Sequence, residues 1–155
     1  MAIGIITADC APIFIINENK NIICCLHSGW KGTLKNISRN AIKNLENYNI
    51  NRNTLSAIVG PCLASKNYEV DNDFKKQFLK KNSNYSNFFK YKNNLKSFFN
   101  LRGLINYQLK ELGLKKIYNL KKDTYSNESL FFSHRRSTHK GETSSGRQIN
   151  IISLT

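Results

Sequence analysis

Three short apolar runs at the start of the chain constrain its fold more than any other feature. They are Ala2-Ile3-Gly4-Ile5-Ile6, Ile13 to Ile16, and Ile22 to Leu26. Each is rich in isoleucine and too short for a buried helix. The polar stretch Asn17-Glu18-Asn19-Lys20-Asn21 divides the second from the third. This pattern predicts adjacent strands in a buried sheet joined by polar turns. The chain enters the first run with no lead-in, so a strand is expected at once.

The apolar period then lengthens. Gly29-Trp30-Lys31-Gly32 breaks the third strand, and Leu34, Ile37, Ala41 and Leu45 predict one helix from about Thr33 to Asn47. Leu55 to Val59 reads as a strand stopped by Gly60-Pro61, and Tyr68-Glu69-Val70 as a short extended piece. Asp71 is placed to cap a helix whose apolar face is Phe74, Phe78 and Leu79. Residues 82–96, crowded with Asn, Ser, Lys and aromatics, read as a loop or insertion. A clear amphipathic helix spans Leu101 to Leu112 and ends at Gly113. Lys116 to Leu120 is a strand, Ser133 to Gly146 a long polar loop, and Gln148 to Leu154 a closing strand. No repeat or linker divides residues 1–155, so a single domain of mixed helices and strands is expected.

Charge narrows the partners. With 24 Lys and Arg against 10 Asp and Glu, the net charge is +14. The lysines are dispersed among asparagines, as in Lys80-Lys81-Asn82 and Lys92-Asn93-Asn94, and form no long basic run. Affinity for nucleic acid is therefore expected to be electrostatic and salt-sensitive, with no specific nucleic-acid partner. The four cysteines at positions 10, 24, 25 and 62 form no CxxC pair and no disulfide framework, which points to a reducing compartment. No secretory leader is visible, and no apolar run approaches the roughly 18 residues that span a bilayer. A cytoplasmic protein with no membrane partner is the expectation.

Two chemical groups sit where strands end. Cys10 follows the first run and His27 closes the third. If those strands are near neighbours, a thiolate and an imidazole converge, which suits a metal or an activated nucleophile. Spacing alone says little, because both residue types also serve as packing residues. Asp9 is equally readable as an acid, a base, a substrate contact or a turn former.

The order of the motifs is more specific. Thr7-Ala8-Asp9-Cys10-Ala11-Pro12 precedes His27-Ser28-Gly29-Trp30-Lys31-Gly32, and Ile58-Val59-Gly60-Pro61-Cys62 precedes Tyr68-Glu69-Val70. Then come Asn100-Leu101-Arg102, Asp123-Thr124-Tyr125, Phe131-Phe132-Ser133-His134-Arg135-Arg136 and Gly146-Arg147. Together these resemble the C-terminal two-thirds of the YfiH-like, laccase-domain family, once called multicopper polyphenol oxidases. The resemblance implies an α+β fold, a layered α/β sandwich truncated at the N-terminus, with the site at strand ends. It further implies a zinc-dependent purine nucleoside phosphorylase with adenosine deaminase activity, acting on adenosine, inosine or methylthioadenosine. Purine nucleoside and phosphate are the implied partners.

The family's zinc is held by a histidine, a cysteine and a second histidine. Cys10 and His27 match the last two, and the first family histidine has no counterpart in this chain. A catalytic zinc typically keeps three protein ligands and an open position, so impaired activity is expected from two. Asp9, Cys10 and His27 are the implied catalytic set. Trp30 reads as a surface for stacking a base or as a packed aromatic. Lys31 stands where many relatives carry arginine, keeping the charge and losing the bidentate fork. Arg135 and Arg136 are candidate phosphate ligands, because guanidinium pairs phosphate bidentately. His134 is a possible substrate group, His139 an ordinary exposed residue, and Cys62 an inert structural thiol. Two other readings stand beside this one. Cys10 and His27 form a hydrolase dyad editing peptidoglycan precursors, or the chain is an inactive remnant. A multicopper centre is disfavoured, since one Cys and one His cannot supply its several histidines.

Overall fold

The computed structural model describes residues 1–17, 19 and 21–154. Glu18 and Lys20 of the expected turn lie outside the described residues. In chain order the elements are β1 (Ala2–Thr7), β2 (Ala11–Asn17), β3 (Ile22–Ser28), α1 (Trp30–Leu34), α2 (Ile37–Asn47), β4 (Ser56–Val59) and β5 (Glu69–Asp71). There follow α3 (Asn72–Lys81), β6 (Phe89–Asn93), β7 (Lys96–Phe99), α4 (Leu101–Glu111), β8 (Lys116–Asn119), α5 (His134–His139) and β9 (Gln148–Ser153). The architecture is mixed α and β, as the residue patterns indicate.

The second and third apolar runs pair as expected. β2 lies antiparallel to β3, with Ile13 opposite Leu26, and its other edge bonds β4. β8 adds parallel to β4, giving the order β3-β2-β4-β8. Ile13, Ile15, Ala57 and Val59 are fully buried in this sheet. A residue of that size contributes roughly 1.5–3 kcal/mol on burial, which is why the central strand reads as a nearly continuous apolar run.

The first run behaves differently. β1 does not join this sheet. It pairs antiparallel with β9 in a two-stranded ribbon, Ile6 opposite Ile149. Both side chains are more than half exposed, at 54% and 63%, so the buried-strand expectation fails on that face. Three further expectations need correction. The single helix from Thr33 is two helices, because Asn36 takes a left-handed conformation (φ 53°) and its side chain caps α2 by accepting from the Arg39 N–H. Residues 82–96 are no plain loop. They include a 3₁₀ turn and β6, which pairs with the following β7 in a third sheet of order β5-β7-β6. Phe78, Phe89 and Phe99 pack there at ring distances of 4.9–5.7 Å, and this aromatic burial holds a segment whose polar composition favours coil. Finally, α5 forms inside the long polar loop, with the Ser133 side chain accepting from the Arg136 N–H.

α4 locks the layers together. Leu104, Ile105 and Leu109 are buried, and Gln108 donates to the Thr33 carbonyl and the Tyr85 hydroxyl. Gly113, at φ 88°, ends the helix as its position suggests. Among the described residues no helix is long and apolar enough to cross a membrane.

Candidate active site

Because β2 runs antiparallel to β3 and β4, the start of β2 meets the ends of the other two at one edge of the sheet. Gly60 N–H donates to the Pro12 carbonyl, and Leu63 N–H to the Asp9 carbonyl. The segment after β8 reaches the same place through a bridge between Cys62 and Asp123. Arg102, from α4, seals this edge by donating to the carbonyls of Val59, Gly60 and Lys122.

Asp9 is the hub. It is buried, and its backbone sits at φ 81°, a left-handed conformation that aspartate tolerates better than most residues. One carboxylate oxygen accepts from the Thr124 hydroxyl at 2.6 Å, the other from the Arg135 N–H at 2.7 Å. Both oxygens are thus committed to protein donors, which casts Asp9 as a brace between the strand ends and α5.

Cys10 is half-buried beside Gly29, where a Cβ would stand 2.6 Å from the Cys10 sulfur. Gly29 is extended and forms the N-cap of α1, just past the end of β3 that His27 occupies. His27 itself is exposed and lies opposite Pro12 in the β2–β3 register, whereas Cys10 lies one residue before the start of β2. Among the described residues, however, no group of three or more His, Cys, Asp and Glu is arranged to hold a metal ion. The described residues do not fit a three-ligand zinc site, still less a multicopper cluster. Nor is Cys10 an activated nucleophile. Burial first, then the Asp9 charge, push its thiol above the ordinary cysteine range, which favours the unreactive protonated form. Cys62 is buried and pushed to about 11 by that burial.

Next to this edge lies a cavity of about 560 Å³, within the range of small-molecule sites. One wall is aromatic: Trp30, Tyr68 and Phe74, with the Trp30 and Phe74 rings 5.2 Å apart. The other wall carries Lys96, His134, Arg135 and His139, with Glu69, Val70 and Asp71 between. The Arg135 guanidinium lies 5.5 Å from the Tyr68 ring centre and donates one N–H to the Glu69 carbonyl, leaving most of its fork for a ligand. Lys92 and Lys96 hold the Glu69 carboxyl down to about 2 through hydrogen bonds and charge.

The structure thus sorts the expected residues. Trp30, His134 and Arg135 share the cavity wall, with Asp9 directly behind Arg135. The Lys31 ammonium lies 5.4 Å from the Trp30 ring centre and is not a lining residue. Arg136 points elsewhere. Its guanidinium donates to the carbonyls of Thr124, Tyr125 and Phe131, so it clamps a loop and is spent as a phosphate ligand. Cys10 and His27 do not line the cavity, although the Cys10 charge is felt at the Tyr68 phenol. Residue types alone gave no site role to Tyr68, Phe74 or Lys96, and read His139 as an exposed residue, which it is, although it also lines the cavity. Only Tyr68 carried a signal, through its place in the Tyr68-Glu69-Val70 motif.

The profile of the multi-copper polyphenol oxidoreductase laccase family matches residues 1–155. The chain belongs to this family. A purine nucleoside phosphorylase of Rickettsia conorii is 34% identical over 143 residues, which is 92% of this chain and 59% of the relative. Another purine nucleoside phosphorylase, from Rickettsia prowazekii, is 37% identical over 137 residues, 86% of this chain and 55% of the relative. Among solved structures, the YfiH protein of Bacillus licheniformis superposes with a TM-score of 0.86 at 24% identity, covering 99% of this chain and 58% of that one. This likeness shows a laccase-family, YfiH-type fold. The chain spans somewhat more than half the length of the curated relatives it matches.

Proposed function

We propose that this laccase-family chain binds a purine nucleoside and phosphate in the α5 cavity and phosphorolyses the glycosidic bond. The observation that carries this reading is one cavity with two chemistries. Trp30, Tyr68 and Phe74 offer a stacking wall for a planar base, and Arg135 offers a guanidinium fork for an anion beside it. Relatives named purine nucleoside phosphorylases support the same substrate class. Adenosine, inosine and methylthioadenosine are the proposed nucleosides, with deamination of adenosine as a second activity. A cytoplasmic location belongs to the proposal, since all four thiols are unpaired. The test is release of free base from inosine and adenosine with and without phosphate. Base release that requires phosphate supports the reading, and none in either condition overturns it. Ammonia release from adenosine without phosphate tests the deamination.

Zinc enters only as a partial site. Cys10 and His27 are two donors only, and affinity depends on how many donors are held together before binding. Zinc content of the 155-residue chain is therefore expected to fall well below one ion per molecule, and lower in Cys10→Ala and His27→Ala. Elemental analysis reads this. Full occupancy that survives both substitutions places the metal elsewhere.

A further inference from the structure

Phosphorolysis of a purine nucleoside expels a poor leaving group, so a proton donor at the base matters. Most ionisable side chains of the cavity are unsuited to that task near neutral pH. Glu69, held at about 2 by Lys92 and Lys96, stays a carboxylate. Asp71 is engaged in capping α3 through the Phe74 N–H. Burial, then the Cys10 charge, push the Tyr68 phenol well above its ordinary range. Lys96 is ion-paired with Glu69, and Arg135 is a permanent cation.

Two histidines remain, His134 and His139. Histidine is the side chain that ordinarily changes charge near neutral pH. Among the described residues only one of the two rings is oriented by a hydrogen bond. The His139 Nδ1 lies 3.0 Å from the Tyr125 hydroxyl, and the two rings meet edge-on at 5.5 Å. Tyr125 is itself fixed. Its N–H donates to Asp123, and its carbonyl accepts from the Arg136 guanidinium at 2.8 Å. The arginine that is spent for phosphate thus sets the position of the tyrosine that aims the histidine. The neighbouring Lys140 is neutralised by Glu128.

We propose that His139, held at Nδ1 by Tyr125, donates the proton that lets the purine leave. The assignment rests on the phosphorylase reading of this cavity. The acid is the imidazolium form, whose Nδ1–H donates to the Tyr125 hydroxyl oxygen and whose Nε2–H is free to meet a ligand. As the bond from the sugar C1′ to N9 breaks, its electron pair passes into the purine and the Nε2 proton moves to N7. A phosphate oxygen forms the new bond to C1′. The products are the neutral base and a sugar 1-phosphate, and His139 regains its proton from solvent. Tyr125 acts through His139 and is a positioning residue.

The test compares wild type, His139→Gln and Tyr125→Phe, each as the full 155-residue chain, on inosine and on 7-methylinosine in phosphate. The base of 7-methylinosine leaves without a proton at N7. On inosine, His139→Gln should lower kcat by about 10²- to 10³-fold. KM should stay within about twofold. On 7-methylinosine the same variant should match wild type. Tyr125→Phe should lower kcat on inosine by about three- to tenfold, with KM unchanged, and leave 7-methylinosine unaffected. Equal losses on both nucleosides, or no loss on inosine, overturn the assignment while the phosphorylase reading stands. A wild-type chain that cleaves neither nucleoside overturns the reading and the assignment together.

Discussion

Replacing Asp9 with alanine is expected to lower the free energy of unfolding by about 3 kcal/mol and to weaken phosphate binding in the cavity by up to about a hundredfold. The stability loss has two sources. The Thr124 hydroxyl and the Arg135 N–H both donate to the Asp9 carboxylate from buried or half-buried positions. Removing the acceptor leaves each donor unsatisfied, at about 1–3 kcal/mol apiece. Alanine is also a poor occupant of the left-handed backbone at φ 81°, a cost of about 1 kcal/mol. Relaxation and entering water recover part of that sum. Functional loss follows from the same bonds, because Asp9 is what ties α5, and so Arg135, to the sheet edge. Asp9→Asn keeps the shape and one acceptor, and should lose about half as much stability. Urea unfolding of the three proteins measures both numbers. A wild-type midpoint for Asp9→Ala would contradict the bracing role.

Arg135→Ala is expected to weaken phosphate binding by about ten- to a hundredfold, the worth of one charge-assisted contact. The contrast with its neighbour makes this sharp. Arg136→Ala removes the donor to three carbonyls and should chiefly lower stability, since its guanidinium does not line the cavity. Calorimetric titration with phosphate and urea unfolding separate the two effects. Similar phosphate affinities for wild type and Arg135→Ala would remove the anion site from this cavity.

These two adjacent arginines show where sequence stops being informative. Both sit in one motif, and the order of motifs along the chain is enough to mark the segment as part of the site. Which guanidinium faces the cavity depends on how α5 is capped by Ser133 and tied to Asp9, a contact between residues far apart in sequence. The strands β2 and β4 were legible because their burial is written into their own residues, and β3 and β8 because their short runs of β-branched and apolar residues are bounded by polar turns. β1 was readable as a strand, but its partner is β9, at the other end of the chain, so its exposed face was not. The β6–β7 hairpin was hidden by lysines and asparagines around phenylalanines whose burial depends on α3. Cys10 follows β1, which pairs with β9, while His27 lies in β3, whose partner is β2, so the strand neighbours of the two residues were not legible from their spacing. The cavity beside them is built from Tyr68, Phe74, Lys96 and His139, brought together by tertiary packing that no local pattern announces.

The central claim is that a purine nucleoside stacks in the cavity beside Arg135. Trp30 is the chain's single tryptophan and lines that cavity, so its fluorescence is a direct reporter. Titrating the wild-type protein with inosine in the presence of phosphate should quench this emission saturably. In Arg135→Ala, quenching by inosine should persist and its enhancement by phosphate should disappear. Emission that does not respond to inosine or adenosine at any concentration up to the millimolar range would contradict the account.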